Sequence, residues 1–251
     1  MNASGHVNRA TAVIARAAGT VVDGLYPRSC EVCGSLDTEG FRYLCWDCFA
    51  SAMTVQPPWC ALCGDPVSGR IDHEYVCSLC SSRKIWFDLA RSACRYDTCV
   101  ADLLKALKYR AALWVLPDLL ALVRPCLEQA FDPGGIDAVC AVPLHPLHER
   151  ARGYNQARLL AAGVARLLDR PLLRRGIRRV RRTPTQTRLT AAQRAANVKN
   201  AFAPVRGGGL RGRRILLVDD VMTTGATVNE CARALKRGGA SRVNVLTAAR
   251  G

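Results

Sequence analysis

The sequence lacks any apolar run long enough to cross a membrane, and it shows no secretion signal. The mildly apolar stretch 11–25 is interrupted by Arg16 and Asp23, and it falls short of the roughly 20 apolar residues that a membrane helix needs. We therefore expect a soluble, cytoplasmic protein without membrane insertion. Residues 1–25 are expected to form a short helical lead-in.

Acidic residues are also scarce. The 251 residues include 36 Lys and Arg against 20 Asp and Glu, which gives a net charge of +16. Residues 170–218 hold 14 of the basic residues and contain neither Asp nor Glu. Such a stretch indicates a phosphate-bearing partner, either a nucleic acid or a phosphorylated small molecule, although a solvated basic face has the same composition.

Cysteine is abundant, with 13 residues, and eight of them form four C-x-x-C pairs. Two such pairs can close one tetrahedral zinc site, whereas disulfides are not expected in a reducing compartment. Residues 26–84 are therefore predicted to hold two structural zinc ions, with either sequential or cross-braced pairing. The expected ligands are Cys30, Cys33, Cys45, Cys48, Cys60, Cys63, Cys77 and Cys80.

After the cysteine region, residues 85–251 alternate between strand-like and helix-like patterns. Strands are predicted over 87–96, 137–142, 215–218 and 242–247. Helices are predicted over 100–109, 113–130, 155–168 and 227–237. This alternation predicts an α/β domain with a parallel sheet, and ligands are expected at the carboxyl ends of its strands.

The apolar strand 215–218 runs into Asp219 and Asp220, and a turn into a helix is predicted over 219–227. Backbone amides and threonine hydroxyls at a helix N-terminus form a cradle for an anion, and glycine lets the backbone approach it closely. The cradle residues are Thr223, Thr224, Gly225, Ala226 and Thr227. Two carboxylates beside such a cradle can accept hydrogen bonds from vicinal hydroxyls, so ribose 5-phosphate fits the pattern.

Two other functions share features with this stretch. Phosphoacceptor receiver domains also open with paired acids, which bind magnesium there. They need a third aspartate and a far longer chain than the 31 residues that follow Asp220. A purely structural strand end would leave the adjacent charges without a purpose.

The stretch RRILLVDDVMTTGA resembles the phosphoribosyl diphosphate (PRPP) motif of type I phosphoribosyltransferases. The four C-x-x-C pairs, LLKALKYR (103–110), AVPLHPLHERARGYNQARLLA (141–161) and RTPTQTRLTAAQRAANVKNAF (182–202) precede it in the order seen in the ComF family, also called ComFC. These are competence-associated, phosphoribosyltransferase-like proteins with an N-terminal double zinc ribbon. The resemblance runs from about residue 20 to the end. It implies a type I phosphoribosyltransferase-like parallel sheet flanked by helices.

The resemblance also implies roles for individual residues. Asp219 and Asp220 would hold the ribose hydroxyls, and residues 223–227 the 5-phosphate. Arg152 and Arg194 would join the two aspartates in catalysis. Further PRPP-binding positions implied are Pro143, Leu144 and His145 in a diphosphate-binding loop that also meets Mg²⁺, with Arg150, Tyr154, Asn155, Gln156, Lys108, Tyr109 and Gln186.

The function implied is a Mg²⁺-dependent phosphoribosyltransferase linked to natural competence, DNA uptake or nucleotide metabolism, with an acceptor that the sequence does not identify. The alternative is a non-catalytic, PRPP-sensing adaptor. It would bind single-stranded DNA or a ComFA-type helicase.

Overall fold

A computed structural model describes residues 28–38, 41–181, 183 and 190–251. The predicted lead-in helix of residues 1–25 and the predicted ligand-binding residue Gln186 lie outside these ranges. Five parallel strands form the central sheet in the order β1-β7-β6-β2-β3, while β4 and β5 pair separately and antiparallel. The strands are β1 Leu89–Arg95, β2 Ala138–Ala141, β3 Leu172–Leu173, β4 Ile177–Arg179, β5 Phe202–Pro204, β6 Arg214–Met222 and β7 Arg242–Arg250.

Helices connect the strands, as expected for parallel pairing. The α-helices are α1 Trp46–Ser51, α2 Ser78–Ser81, α3 Thr98–Tyr109, α4 Leu116–Ala130, α5 Pro146–Arg152, α6 Gln156–Leu168, α7 Ala191–Val198 and α8 Ala226–Arg237. Short 3₁₀ turns lie at Leu113–Val115 and Pro133–Gly135. The predicted alternation of strands and helices is confirmed. Among the described residues, no helix has the length and apolar character that crossing a bilayer requires.

The central strand β6 divides its apolar side chains between two cores. Leu216 and Val218 pack with α3, α4 and α6 on one face of the sheet. Ile215 and Leu217 pack with α8 on the other face. This follows from the strand geometry, in which successive side chains point to opposite faces.

The length of β6 corrects one prediction. The strand was expected to end at Val218 and the chain to turn from Asp219 onward. Instead β6 continues to Met222, because Asp219, Val221 and Met222 remain paired with β7. On its other side β6 loses its neighbour, since the pairing with β2 stops at Val218. The two aspartates therefore lie in the strand, along an edge that β2 no longer covers.

The two ribbons pack into the cores of the sheet domain. The first contributes Cys30, Leu44 and Cys45 to the core beneath α3 and α4, and the second contributes its four cysteines to the core beneath α8. The segment between them pairs with the edge of β1, where Val55 donates its backbone N–H to the Ala93 carbonyl at 3.0 Å. The domain boundary at residue 84 stays a prediction.

Candidate functional site

The aspartates lie where the order of the strands reverses. From β2 the chain proceeds outward to β3, whereas from β6 it proceeds in the opposite direction to β7. In open α/β sheets this switch point opens a crevice at the carboxyl ends of the strands, and ligands bind there. The turn that follows β2 starts beside β6, because Val142 donates its N–H to the Val218 carbonyl at 2.9 Å.

Asp220 is buried, with 5% of its surface exposed, on the face covered by α3 and α6. Its Oδ2 lies 2.5 Å from Lys108 Nζ and accepts a hydrogen bond from Gln156 Nε2 at 3.3 Å. Its Oδ1 accepts from the Val221 N–H at 2.8 Å. Burial alone would raise the pKa of Asp220, but the Lys108 ammonium and these donors hold the pKa below its ordinary value. Asp220 is therefore ionised.

Asp219 is in a different environment, although it is adjacent in sequence. It points to the α8 face, where its neighbours include the buried Cys231 and the guanidinium of Arg179. Burial, followed by repulsion from Asp220, raises the pKa of Asp219 well above its ordinary value. The pKa values of the two adjacent carboxyl groups are thus shifted in opposite directions.

A chain of polar contacts leads outward from Asp220. Gln156 Oε1 accepts a hydrogen bond from Arg152 Nη1 at 2.6 Å. The Arg152 guanidinium in turn lies 5.8 Å from the ring centroid of Tyr109, whose side chain is 73% exposed. A cavity of about 320 Å³ is lined by Lys108, Tyr109, Arg152 and, among others, His148. The structure therefore brings the predicted residues of three sequence segments together at one place.

Other predicted residues hold the backbone around the site. Asn155 caps α6 by accepting from the Arg158 N–H at 3.3 Å, and its Nδ2 donates to the Val142 carbonyl at 3.0 Å. The Tyr154 hydroxyl donates to the Leu107 carbonyl and so joins α6 to α3. His145 accepts from the Leu147 N–H at 3.3 Å and caps α5. These contacts are structural, and Arg150 is exposed on α5.

The turn after Val142 begins beside β6. Pro143, Leu144 and His145 connect β2 to α5 at the carboxyl end of the sheet. Their role in holding diphosphate stays a prediction.

The threonine-rich loop connects β6 to α8. Gly225 adopts a left-handed conformation, with φ of +72°, and precedes the helix as a cap that offers no side chain. Thr224 Oγ1 accepts from the Ala226 N–H at 3.4 Å. The backbone N–H groups of the first turn of α8 form the positive end of the helix dipole, and they lie at one end of the cleft. This arrangement suits an anion.

The basic stretch 170–218, which lacks Asp and Glu, contributes the Arg194 guanidinium to this loop directly. Arg194, on α7, donates from Nη1 to Thr223 Oγ1 at 2.7 Å. Other basic residues of the stretch have structural partners, such as Arg214, which pairs with Asp137 at 2.7 Å. The strong positive charge is therefore only partly directed at the site.

A second arginine contacts the loop, and no local motif indicates it. Arg83 follows the last zinc-site cysteine by three residues, and its Nη2 donates to the Thr224 carbonyl at 2.5 Å. Residues so far apart in sequence meet only through the fold. Local sequence motifs therefore do not indicate this contact.

The eight predicted metal ligands form two groups in sequential order, which excludes the cross-braced pairing. Within each group the ligand atoms lie within 4.8 Å of one another, with Sγ–Sγ distances of 3.6 Å for Cys33 and Cys45 and 3.7 Å for Cys63 and Cys77. A tetrahedron with Zn–S bonds of about 2.3 Å has edges of about 3.8 Å, so the thiolates fit zinc. All thirteen cysteines are free of disulfides.

The thiolate state is favoured at one ligand of each group. Burial would raise the pKa of Cys30 and Cys60, but backbone N–H donors of the C-x-x-C turns outweigh it and lower both pKa values to about 7. Gly34 and Gly64 follow the second cysteines with φ of +78° and +67°, as the tight turns require.

Comparison with known proteins agrees with this architecture. Residues 21–81 match the double zinc ribbon domain, and residues 155–251 match the phosphoribosyl transferase domain. A solved adenine phosphoribosyltransferase from Thermoanaerobacter pseudethanolicus shares 15% identity, with a TM-score of 0.36 over 60% of this chain and 84% of its own. By its two domain matches, the chain is a phosphoribosyltransferase-type α/β protein that carries a double zinc ribbon.

Curated relatives then define the family. Competence protein F of Haemophilus influenzae is 32% identical over 77% of this chain and 85% of its own length. DNA utilization protein YhgH of Escherichia coli K12 is 30% identical over 87% of this chain and 95% of its own. Competence protein ComFC of Bacillus subtilis is 24% identical over 81% of this chain and 82% of its own. The chain belongs to the ComF family.

Proposed function

We propose that the protein binds PRPP with Mg²⁺ at the carboxyl end of β6 and transfers its phosphoribosyl group to an acceptor. The observation that carries the proposal is the buried, ionised Asp220, which Lys108 and Gln156 hold at the switch point of the sheet, beside an anion-binding loop. The Asp220 oxygens accept from three protein donors, and a carboxylate offers about four acceptor positions, so a ribose hydroxyl can donate one further hydrogen bond to it.

The two carboxyl groups suit different hydroxyls. Asp220 can only accept a hydrogen bond, whereas a protonated Asp219 can also donate one. A ribose with its 5-phosphate in the loop at 223–227 would present its 2- and 3-hydroxyls toward the strand end. Ribose hydroxyls both donate and accept hydrogen bonds, so a ribose suits two carboxyl groups whose pKa values are shifted in opposite directions.

Magnesium fits this site as part of the substrate. Among the described residues, the only clusters of three or more metal-ligating side chains are the two cysteine groups, so this part of the chain offers no separate cage for Mg²⁺. Mg²⁺ is commonly held by substrate phosphates and one or two carboxylates. When bound with PRPP, it would neutralise charge on the leaving diphosphate.

The chemistry follows from these positions. The bond between the anomeric carbon and the diphosphate oxygen breaks, the electron pair leaves with diphosphate, and the acceptor supplies the pair for the new bond. Arg152 donates to Gln156, which contacts Asp220, and Arg194 donates to Thr223 in the loop. Guanidinium groups at these places would stabilise the developing negative charge. Lys108 keeps Asp220 ionised while the anomeric carbon becomes cationic.

Calorimetric titration with PRPP and Mg²⁺ tests the proposal. We expect Asp220→Asn to weaken binding by about tenfold or more, because a hydrogen bond to a charged group is worth about 1.5–3 kcal/mol. Asp102→Asn is the matched control, since Asp102 lies on the same helix as Lys108 but pairs with the exposed Lys105. Equal affinity for the wild type and Asp220→Asn would contradict the ribose-site assignment.

The names of the relatives connect them with competence and DNA utilization, and we infer a nucleic-acid-related acceptor or partner for this chain. Single-stranded DNA and a ComFA-type helicase are the proposed partners. A screen for diphosphate release over bases, nucleosides and short single-stranded DNA tests the acceptor. Tight PRPP binding without release for any acceptor would instead favour the adaptor interpretation.

A further inference from the structure

Arg83 connects the second ribbon to the loop that begins α8. It lies between the last ribbon cysteine, Cys80, and the strand β1, and its Nη2 donates to the Thr224 carbonyl at 2.5 Å. We propose that Arg83 is a positioning residue for the 5-phosphate loop, so that the second ribbon is a working part of the phosphoribosyl site. This inference rests on the proposed function.

The segment around Arg83 is fixed to the same helix whose N-terminus forms the cradle. The side chain of Asn229, in the first turn of α8, is buried and makes two hydrogen bonds to this segment. Its Oδ1 accepts from the Trp86 N–H at 2.7 Å, and its Nδ2 donates to the Lys84 carbonyl at 3.0 Å. The short helix α2 holds Cys80 on the other side of Arg83. Arg83 therefore extends from a segment that is anchored at both ends.

The contact controls the direction of a loop amide. In a trans peptide the C=O and the N–H point in opposite directions. By holding the Thr224 carbonyl, Arg83 fixes the direction of the Gly225 N–H, which faces away from the guanidinium. The space around Gly225 is also closed, because an added Cβ would lie 2.8 Å from Met222 Cε and 3.5 Å from Arg83 Nη2. The guanidinium and Met222 together define the shape of the loop.

The charge of Arg83 is a second contribution. Its Nε is buried without a hydrogen-bond partner, and within the described part of the chain no carboxylate forms an ion pair with this side chain. Arg83 as a whole is half-buried, so the unpaired Nε is a cost that the free protein carries. A phosphate in the neighbouring loop would offset that charge, so the same residue both shapes the loop and favours an anion there.

The test separates the two ends of PRPP. Calorimetry is performed with ribose 5-phosphate alone and with Mg²⁺-diphosphate alone. We expect Arg83→Ala to raise the Kd for ribose 5-phosphate by about tenfold and to leave the Kd for diphosphate within about twofold. Arg83→Lys should recover part of the affinity. Lys84→Ala is the control, since it removes a neighbouring exposed cation that lies 4.2 Å from the Trp86 ring centroid and not on the loop.

Hydrogen exchange of the ligand-free protein provides a readout that does not depend on the proposed function. The amides of Gly225 and Ala226 should exchange faster in Arg83→Ala than in the wild type. Their exchange rates should be unchanged in Lys84→Ala. If the wild type binds neither ligand, the proposed function fails, and exchange at these amides alone decides the role of Arg83. Unchanged exchange in Arg83→Ala, or an equal loss of affinity for both ligands, would overturn the inference.

Discussion

Replacing Lys108 with methionine is expected to lower the free energy of unfolding by about 3 kcal/mol at neutral pH. Methionine fills a similar volume, but it leaves the carboxylate of Asp220 buried without its cation, and breaking a buried pair from one side costs about 3–5 kcal/mol. We expect the lower end of that range because the Lys108 side chain is 22% exposed. Urea denaturation of both proteins measures the difference.

The pH dependence has a definite sign. In the wild type, the lowered pKa of Asp220 means that its contribution to stability is present above the ordinary value of 3.8 and is lost as the pH falls through the lowered folded-state value. Without Lys108, burial dominates and the pKa of Asp220 rises above 3.8. The variant then loses stability as the pH increases through that raised value. The gap between the two proteins should therefore be smallest below the lowered pKa of Asp220 in the wild type, widen as the pH rises, and reach its full size above the raised pKa of the variant.

The double variant Lys108→Met/Asp220→Asn is the control for this prediction. It removes both charges, so its stability should exceed that of Lys108→Met at neutral pH and should lack the widening gap. Zinc-ligand protonation at low pH affects all three proteins alike and cancels in the comparison. If Lys108→Met were as stable as the wild type from low to neutral pH, Asp220 would not carry its charge in the folded protein.

Local patterns predicted the class of this fold well, because apolar periodicity and turn residues act over a few neighbours along the chain. The strand β2, the helix α6 with Asn155 as its cap and the C-x-x-C turns were all recognisable in that way. The aspartates and the loop of residues 223–227 were recognisable because they form one short motif.

What local patterns missed depends on contacts between distant segments. The extension of β6 to Met222 depends on pairing with β7, which a strand's own residues do not specify. The unequal environments of Asp219 and Asp220 arise from Lys108 on one face and from the buried α8 side on the other. Arg83 was missed for the same reason. The resemblance to a family indicated Lys108, but only the structure shows its contact with Asp220.

The second large effect concerns zinc at the two cysteine sites. Its removal should destabilise the whole chain and not only residues 26–84. The second group lies in one core with α8 and with Ile215 and Leu217 of β6, and the first lies in the core beneath α3. Zinc binding to small ribbon-like peptides contributes about 10–16 kcal/mol, comparable to or above the entire stability of a typical domain. We therefore expect the zinc-bound protein to unfold in a single cooperative calorimetric transition, and we expect chelation of the zinc to abolish it.

Single variants distinguish the two sites. Cys60→Ser, at a fully buried ligand of the second group, should reduce the zinc content from two ions to one and lower the melting temperature more than Cys33→Ser, whose thiol is exposed. Cys126→Ser is the control, because Cys126 is a half-buried thiol outside both groups and should leave two ions bound. Arg83 lies three residues after Cys80, a ligand of the second group. Cys60→Ser should therefore also speed amide exchange at Gly225, whereas Cys33→Ser should not. A chelated protein that keeps its calorimetric transition and its exchange pattern would show that the ribbons fold independently of the sheet.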